Sequence, residues 1–254
     1  MINNNSIGIF DSGLGGLTVL KEIKKILPNE NIIYLGDTAR VPYGVRSPEV
    51  IKKFSEENVE FLLKKDVKCI VIACNTSSAV AGEHLKNKYK QIKIFDVITP
   101  TMRTILNKSK TGVIGTRATI KSNAYNVKYS CACSLFVPII EEGEIDDDLI
   151  KLAAKKYLKY FKGKKIENLI MGCTHYSIIE KVIQTEVGNK INLINPAKYV
   201  TLELKEYLTK NNLLNNKLKP SQKYYVTDLN ERFLKISKLF LGYNISSELK
   251  KTLV

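Results

Sequence analysis

Short apolar runs alternate with longer amphipathic stretches along most of the chain. Residues 6–10, 31–35, 69–73 and 93–97 are rich in Ile, Val, Leu and Phe and read as buried strands. Helix-like periodicity separates them. It covers 17–27, ended by Pro28, then 47–65, opened by Ser47-Pro48, then 77–89. Strand and helix taking turns predicts a parallel sheet with helices on both faces. A helix beginning at Thr99-Pro100 follows, and the pattern then restarts. The second set is a strand at 111–115, a polar turn at 116–119 and a short helix at 122–129. A strand at 135–140, a helix at 146–161, a strand at 168–171, a helix at 176–187, a strand at 191–194 and a helix at 197–210 come next. The tail holds a polar loop at 211–217, a strand at 223–227 and a helix at 230–241; this strand is expected to return to the first sheet.

The fold class expected is α/β: two similar three-layer domains with parallel sheets, related by a pseudo-twofold, with the active site in the cleft between them. Residues 1–97 with 209–254 would form the first domain and 98–208 the second. In each half a first strand ends in a polar turn, Asp11-Ser12 or Thr116 to Thr119, and a later strand ends in a cysteine, Cys74 or Cys173. Ligands of open α/β sheets sit beyond the carboxyl ends of the strands, so both cysteines should point into one cleft.

Composition narrows the classes. No apolar run approaches the roughly 20 residues needed to span a bilayer, and the opening Met1-Ile-Asn-Asn-Asn-Ser6 has no signal-peptide pattern. A cytoplasmic enzyme is the expectation, with no membrane partner. Five cysteines, at 69, 74, 131, 133 and 173, form no disulfide framework and suit a reducing compartment. Cys131-Ala-Cys133 is C-x-C, and the chain has only 2 histidines, so no zinc spacing is present. The net charge of +15 raises nucleic-acid binding as a question. The Lys-Lys pairs lie in amphipathic or loop contexts without an arginine cluster or aromatic platform, and read as solvated helix faces rather than a nucleic-acid groove. The charge could still attract an anionic substrate.

The candidate chemistry centres on Cys74 and Cys173. Each follows an apolar strand and precedes cap-forming residues: Asn75, Thr76, Ser77 and Ser78 in one case, Thr174, His175, Tyr176 and Ser177 in the other. Free N–H groups and the helix dipole at such a junction favour a thiolate. A buried structural cysteine is the bland alternative; the repetition argues for a pair. Two opposed thiols suit proton removal from one face of a carbon and proton return to the other, with pKa values near the working pH. His175 is the natural helper of Cys173, and Asp11 or Glu141 could serve Cys74. A Cys–His hydrolase or a redox dithiol are the competing readings. The glycine-rich turn after Asp11 is not G-x-G-x-x-G, and the carboxylate would repel a phosphate but receive an ammonium group. His84 reads as an exposed helix residue.

Six segments resemble one family in order and across nearly the whole chain. They are Phe10-Asp-Ser-Gly-Leu-Gly-Gly-Leu-Thr18, Gly36-Asp-Thr-Ala-Arg-Val-Pro-Tyr-Gly44, Cys74-Asn-Thr-Ser-Ser-Ala79, Val113-Ile-Gly-Thr116, Phe136-Val-Pro-Ile-Ile-Glu-Glu-Gly143 and Gly172-Cys-Thr-His-Tyr176. Together they resemble the glutamate racemases of the aspartate/glutamate racemase superfamily. The resemblance implies a cofactor-independent isomerase that interconverts L- and D-glutamate and supplies D-glutamate for peptidoglycan. It implies Cys74 and Cys173 as the two bases, with Asp11, Glu141 and His175 assisting proton transfer. Asp11, Ser12, Tyr43, Gly44, Asn75, Thr76, Thr174 and His175 match substrate-contacting positions. No cofactor or metal is expected, and a homodimer is the expected assembly. The chain departs from the family pattern in a shorter segment between Ser122 and Leu135, in Cys131-Ala-Cys-Ser134 where Ala-Cys-Pro is usual, and at Ser177 where proline is common.

Overall fold

The structure is a computed structural model that describes residues 4–216, 219–229, 231–246 and 249–254. The loop expected at 211–217 and the helix expected from 230 each include a residue outside that set. Among the described residues the strands form two all-parallel sheets.

The first sheet contains β1 (Ile7–Asp11), β2 (Ile32–Gly36), β3 (Cys69–Ile72), β4 (Ile94–Asp96), β9 (Gln222–Val226) and β10 (Leu249–Lys251). Their order is β10-β9-β2-β1-β3-β4, so the tail strand does return to this sheet, and an unexpected β10 extends its edge. The second sheet contains β5 (Thr111–Gly115), β6 (Tyr129–Ala132), β7 (Asn168–Gly172) and β8 (Asn192–Ile194), in the order β6-β5-β7-β8. β1, β2 and β3 are buried at every position, as parallel strands covered on both faces must be. Alternate side chains of β1 serve different cores. Ile7 and Ile9 join the large apolar core that continues to Ile114, Met171 and Val200, while Phe10 faces the core formed with Ile70, Ile72 and Leu85.

The helices are α1 (Leu17–Ile26), α2 (Pro48–Leu63), α3 (Asn75–Lys88), α4 (Ile98–Thr104), α5 (Arg117–Lys121), α6 (Phe136–Glu142), α7 (Asp148–Leu158), α8 (Glu180–Val187), α9 (Pro196–Lys210) and α10 (Glu231–Leu241). Local chemistry starts several of them. Ser47 Oγ accepts from the Val50 N–H before Pro48, and Asn195 Oδ1 accepts from Ala197 N–H before Pro196. α9 packs on both α1 and α4, and α10 packs on α1.

Four expectations need correction. Residues 135–140 are not a strand: α6 buries Phe136, Ile139 and Ile140 at helical spacing and ends at Gly143, whose φ of 88° closes the helix. Pro138 sits in its first turn, where a missing N–H breaks no helical bond. Residues 122–129 are not a helix. Asn123 and Asn126 adopt left-handed φ of 54° and 42°, the chain turns, and Tyr129 opens β6. The polar turn at 116–119 is the capped start of α5, with Thr116 Oγ1 accepting from Thr119 N–H at 3.2 Å. Finally, a 3-10 turn over Thr174–Ile179 precedes α8, so the helix expected from 176 begins later.

Candidate active site

The carboxyl ends of β1 and β3 from the first sheet, and of β5 and β7 from the second, converge on one small cavity of about 30 Å³. Its walls include Ser12, Tyr43, Gly44, Cys74, Asn75, Thr76, Cys173, Thr174 and His175, all expected from the sequence. Thr116 and Val137 line it as well and were not among the candidates. Thr116 carried a signal: it directly follows β5, as Ser12 directly follows β1. A larger cavity of about 330 Å³ shares Pro42, Gly44, Thr116 and Val137 and extends past Cys133 to Glu141.

Cys74 is 5% exposed and caps α3 itself. Its Sγ accepts from the Ser77 N–H at 3.5 Å and donates to Ser12 Oγ at 3.4 Å. α3 therefore starts at Asn75, two residues earlier than expected. The thiol also behaves differently from expectation. Burial first, and then the Asp11 carboxylate, push its pKa up to about 11, and the Ser12 and Ser77 contacts offset this only in part. Desolvation beats the helix N-terminus here, so the protonated thiol is the favoured form.

Asp11 is buried at the end of β1, and its Oδ2 accepts from Gly13 N–H at 2.9 Å. Burial raises its pKa; His175 and the amides of Gly13 and Gly16 oppose the rise, and Glu141 adds to it. The same carboxylate acts on Cys74, so Asp11 is electrostatically linked to both sides of the cavity.

On the other side Cys173 is 7% exposed. The 3-10 turn that follows it brings His175 back, with Nδ1 3.8 Å from Cys173 Sγ and 3.5 Å from Thr174 Oγ1. The outer nitrogen, Nε2, lies 3.0 Å from Glu141 Oε1. Burial disfavours a charged ring, yet the Cys173 and Glu141 contacts outweigh it and hold the His175 pKa up at about 10. The sequence allowed Glu141 as a helper of Cys74 at a strand end. It stands instead in the last turn of α6 and pairs with His175, because that segment is helical.

The remaining candidates are held by polar contacts. Asn75 Oδ1 accepts from the buried Tyr125 hydroxyl. Thr76 Oγ1 lies 2.9 Å from Thr116 Oγ1, linking α3 of the first sheet to α5 of the second. The Tyr43 hydroxyl is already engaged: it donates to Asp37 Oδ2 and accepts from Asn58 Nδ2 at 3.1 Å. Burial and the Asp37 charge raise its pKa, so it stays protonated. Gly44 permits close approach, since a Cβ there would lie 2.6 Å from Thr116 Cβ. His84 is on the surface of α3, paired with Glu56 and away from the cavity. Among the described residues no group of three His, Cys, Asp or Glu side chains is arranged to hold a metal ion, and no helix is long and apolar enough to cross a membrane.

A two-sheet α/β fold with one cysteine from each sheet on a shared cavity defines a class, and the comparisons agree with it. The Asp/Glu/Hydantoin racemase family profile matches residues 7–203. The chain belongs to that family and is an isomerase of the racemase type. It is 44% identical to the glutamate racemase of Aquifex aeolicus, over 96% of each chain. Its backbone superposes on the glutamate racemase of Francisella tularensis, solved with D-glutamate, with a TM-score of 0.93 at 42% identity and 98% coverage of both chains. The Thermus thermophilus glutamate racemase, solved with β-chloro-D-alanine, gives 0.92 at 36% identity, covering 99% of this chain and 98% of that one.

Proposed function

We propose that the chain interconverts L- and D-glutamate with two thiols, one removing the α-proton and the other delivering a different proton to the opposite face. The observation that carries this reading is the shared cavity, on which Cys74 and Cys173 arrive from different sheets. A thiolate on one side takes the α-hydrogen as a proton, and its electron pair becomes the new S–H bond. The pair left on carbon spreads into the α-carboxylate. The thiol on the other side then protonates the opposite face and is left as the thiolate. The reverse reaction exchanges the roles.

The flanking groups suit this cycle. Cys74 rests as a thiol, a loaded proton donor. His175, protonated near neutrality and backed by Glu141, can exchange a proton with Cys173. Asp11 is the corresponding group beside Cys74 and a counter-charge for the substrate ammonium. Asn75, Thr76 and Thr174, with the free N–H groups at the start of α3, are donors for the carboxylates. A cavity of about 30 Å³ has the volume of about one water molecule. Substrate entry therefore requires the walls to part, and residues 1–97 with 209–254 and 98–208 are the two units that would move. The family relatives named above support glutamate as the substrate. The wider reading is of a cofactor-independent cytoplasmic enzyme, working as a homodimer without metal or pyridoxal phosphate and supplying D-glutamate for peptidoglycan.

Cysteine-to-serine variants test the two-base assignment. Racemisation should fall by about 10³-fold or more in both C74S and C173S. With β-chloroalanine only the first deprotonation is needed: the carbon electron pair forms a double bond to the β-carbon and chloride leaves. Each variant should keep this elimination for one enantiomer, and the two should differ in which. Loss of elimination from the same enantiomer in both, or racemisation at parental rates, would contradict the assignment. Turnover of aspartate in preference to glutamate would overturn the substrate.

A further inference from the structure

We infer that Phe240, on the C-terminal helix α10, is a positioning residue for His175. The inference rests on the reading above, in which His175 serves Cys173.

The His175 ring is gripped within its plane at both nitrogens, by Cys173 and Thr174 at Nδ1 and by Glu141 at Nε2. Two contacts along one axis leave the ring free to tilt about that axis. Phe240 removes this freedom. Its ring stands at 87° to the imidazole with centroids 5.4 Å apart, the edge-to-face arrangement aromatic pairs prefer. Phe240 is fully buried and His175 is 4% exposed, so neither ring has solvent to turn into. The Asp11 carboxylate also acts on the ring, and the backbone at Gly15 lies close to it, where a Cβ would be 2.5 Å from Nδ1. Neither is an aromatic ring packed edge-to-face with the imidazole, as Phe240 is.

The placement matters as much as the contact. α10 follows β9 of the first sheet and packs on α1, whereas His175 follows β7 of the second. The Cys74 side of the molecule thus sets the orientation of the proton-handling ring on the Cys173 side. A ring tilted by tens of degrees keeps its packing and still loses alignment with Sγ, and such misplacement costs about tenfold or more in rate.

The test is a double-mutant cycle in the full chain, with L- and D-glutamate as substrates. Phe240→Leu keeps apolar bulk and removes the aromatic ring. It should lower turnover by about tenfold and raise the primary deuterium isotope effect for the enantiomer that Cys173 deprotonates. The equilibrium between mirror images is unity, so kcat/KM must fall equally in both directions and the asymmetry belongs to the isotope effect. In an H175N background the same change should cost less than about twofold, because a residue acting through His175 has nothing left to act on. Equal losses in the two backgrounds, or no loss at all, would overturn the inference. F240M, measured the same way, replaces F240L should the latter fail to fold. An unimpaired H175N would overturn the reading of the site, and this inference with it. An impaired H175N with additive F240L would overturn this inference alone.

Discussion

Asp11 is the residue at which the demands of folding and of the proposed chemistry oppose each other. Its carboxyl group is buried, and its pKa is raised by that burial. A raised folded pKa means that the associated stability is present below the ordinary value of 3.8 and lost as pH rises through the folded one, so the charged form costs stability at neutral pH. Asp11→Asn keeps an acceptor for the Gly13 N–H and removes the charge. It should raise the melting temperature at pH 7 while lowering racemisation by about 10²- to 10⁴-fold, read by thermal melts and polarimetry on one sample. A lower melting temperature would show that the charge is better compensated than its neighbours suggest. Asp11 was visible in the sequence as a polar residue ending a strand. The pKa direction of Cys74 was not, because the sequence shows the helix start and not the depth at which the sulfur lies.

At the level of elements, the close approach of the β1–α1 turn to the turn after β7 is the most demanding contact. Gly15 permits it: a Cβ would lie 2.1 Å from Thr174 Oγ1 and 2.5 Å from His175 Nδ1. Gly15→Ala should therefore cost about 10²-fold in kcat/KM through displacement of Thr174 and His175, with far-ultraviolet circular dichroism unchanged. A second element-level contact lies elsewhere, where Lys68 Nζ reaches Glu30 Oε2 and the Leu213 carbonyl, both at 2.6 Å. Both side chains of the pair are almost fully buried. Glu30→Gln leaves a buried ammonium without its counter-charge and should cost about 3–5 kcal/mol in urea unfolding, with kcat of the folded enzyme unchanged. The strands of the first sheet were legible because both their faces are buried, which makes them continuous apolar runs. β6 was not, since it is an edge strand with no fully buried position. α6 was misread because its apolar run, 135–140, has no polar position to reveal a helical period.

For the whole molecule, two titrations point the same way. His175 is raised from 6.5 to about 10 and Cys74 from 9.0 to about 11, so both favour the protonated folded state. The His175 contribution is fully present below about pH 6.5 and is lost as pH rises through about 10; that of Cys74 is lost between about 9 and 11. Unfolding free energy should decline across this alkaline window, and H175N should flatten the part between about 6.5 and 10. An unchanged slope in H175N would contradict the pairing of that ring with Cys173 and Glu141. The net charge of +15 acts at longer range. It should draw in an anionic amino acid, so kcat/KM for glutamate should fall several-fold, by about two to five, on going from low to high salt while kcat holds.

The central claim is that two thiols on opposite faces divide the work. It is tested most directly by racemisation in D₂O, stopped at low conversion, with the deuterium content of each glutamate enantiomer measured separately. Starting from either enantiomer, deuterium should appear at the α-carbon of the product and not in the unconverted substrate, because the proton removed by one thiol is not the one returned by the other. Equal labelling of substrate and product pools would mean that a single base serves both faces, and the two-thiol account would be wrong.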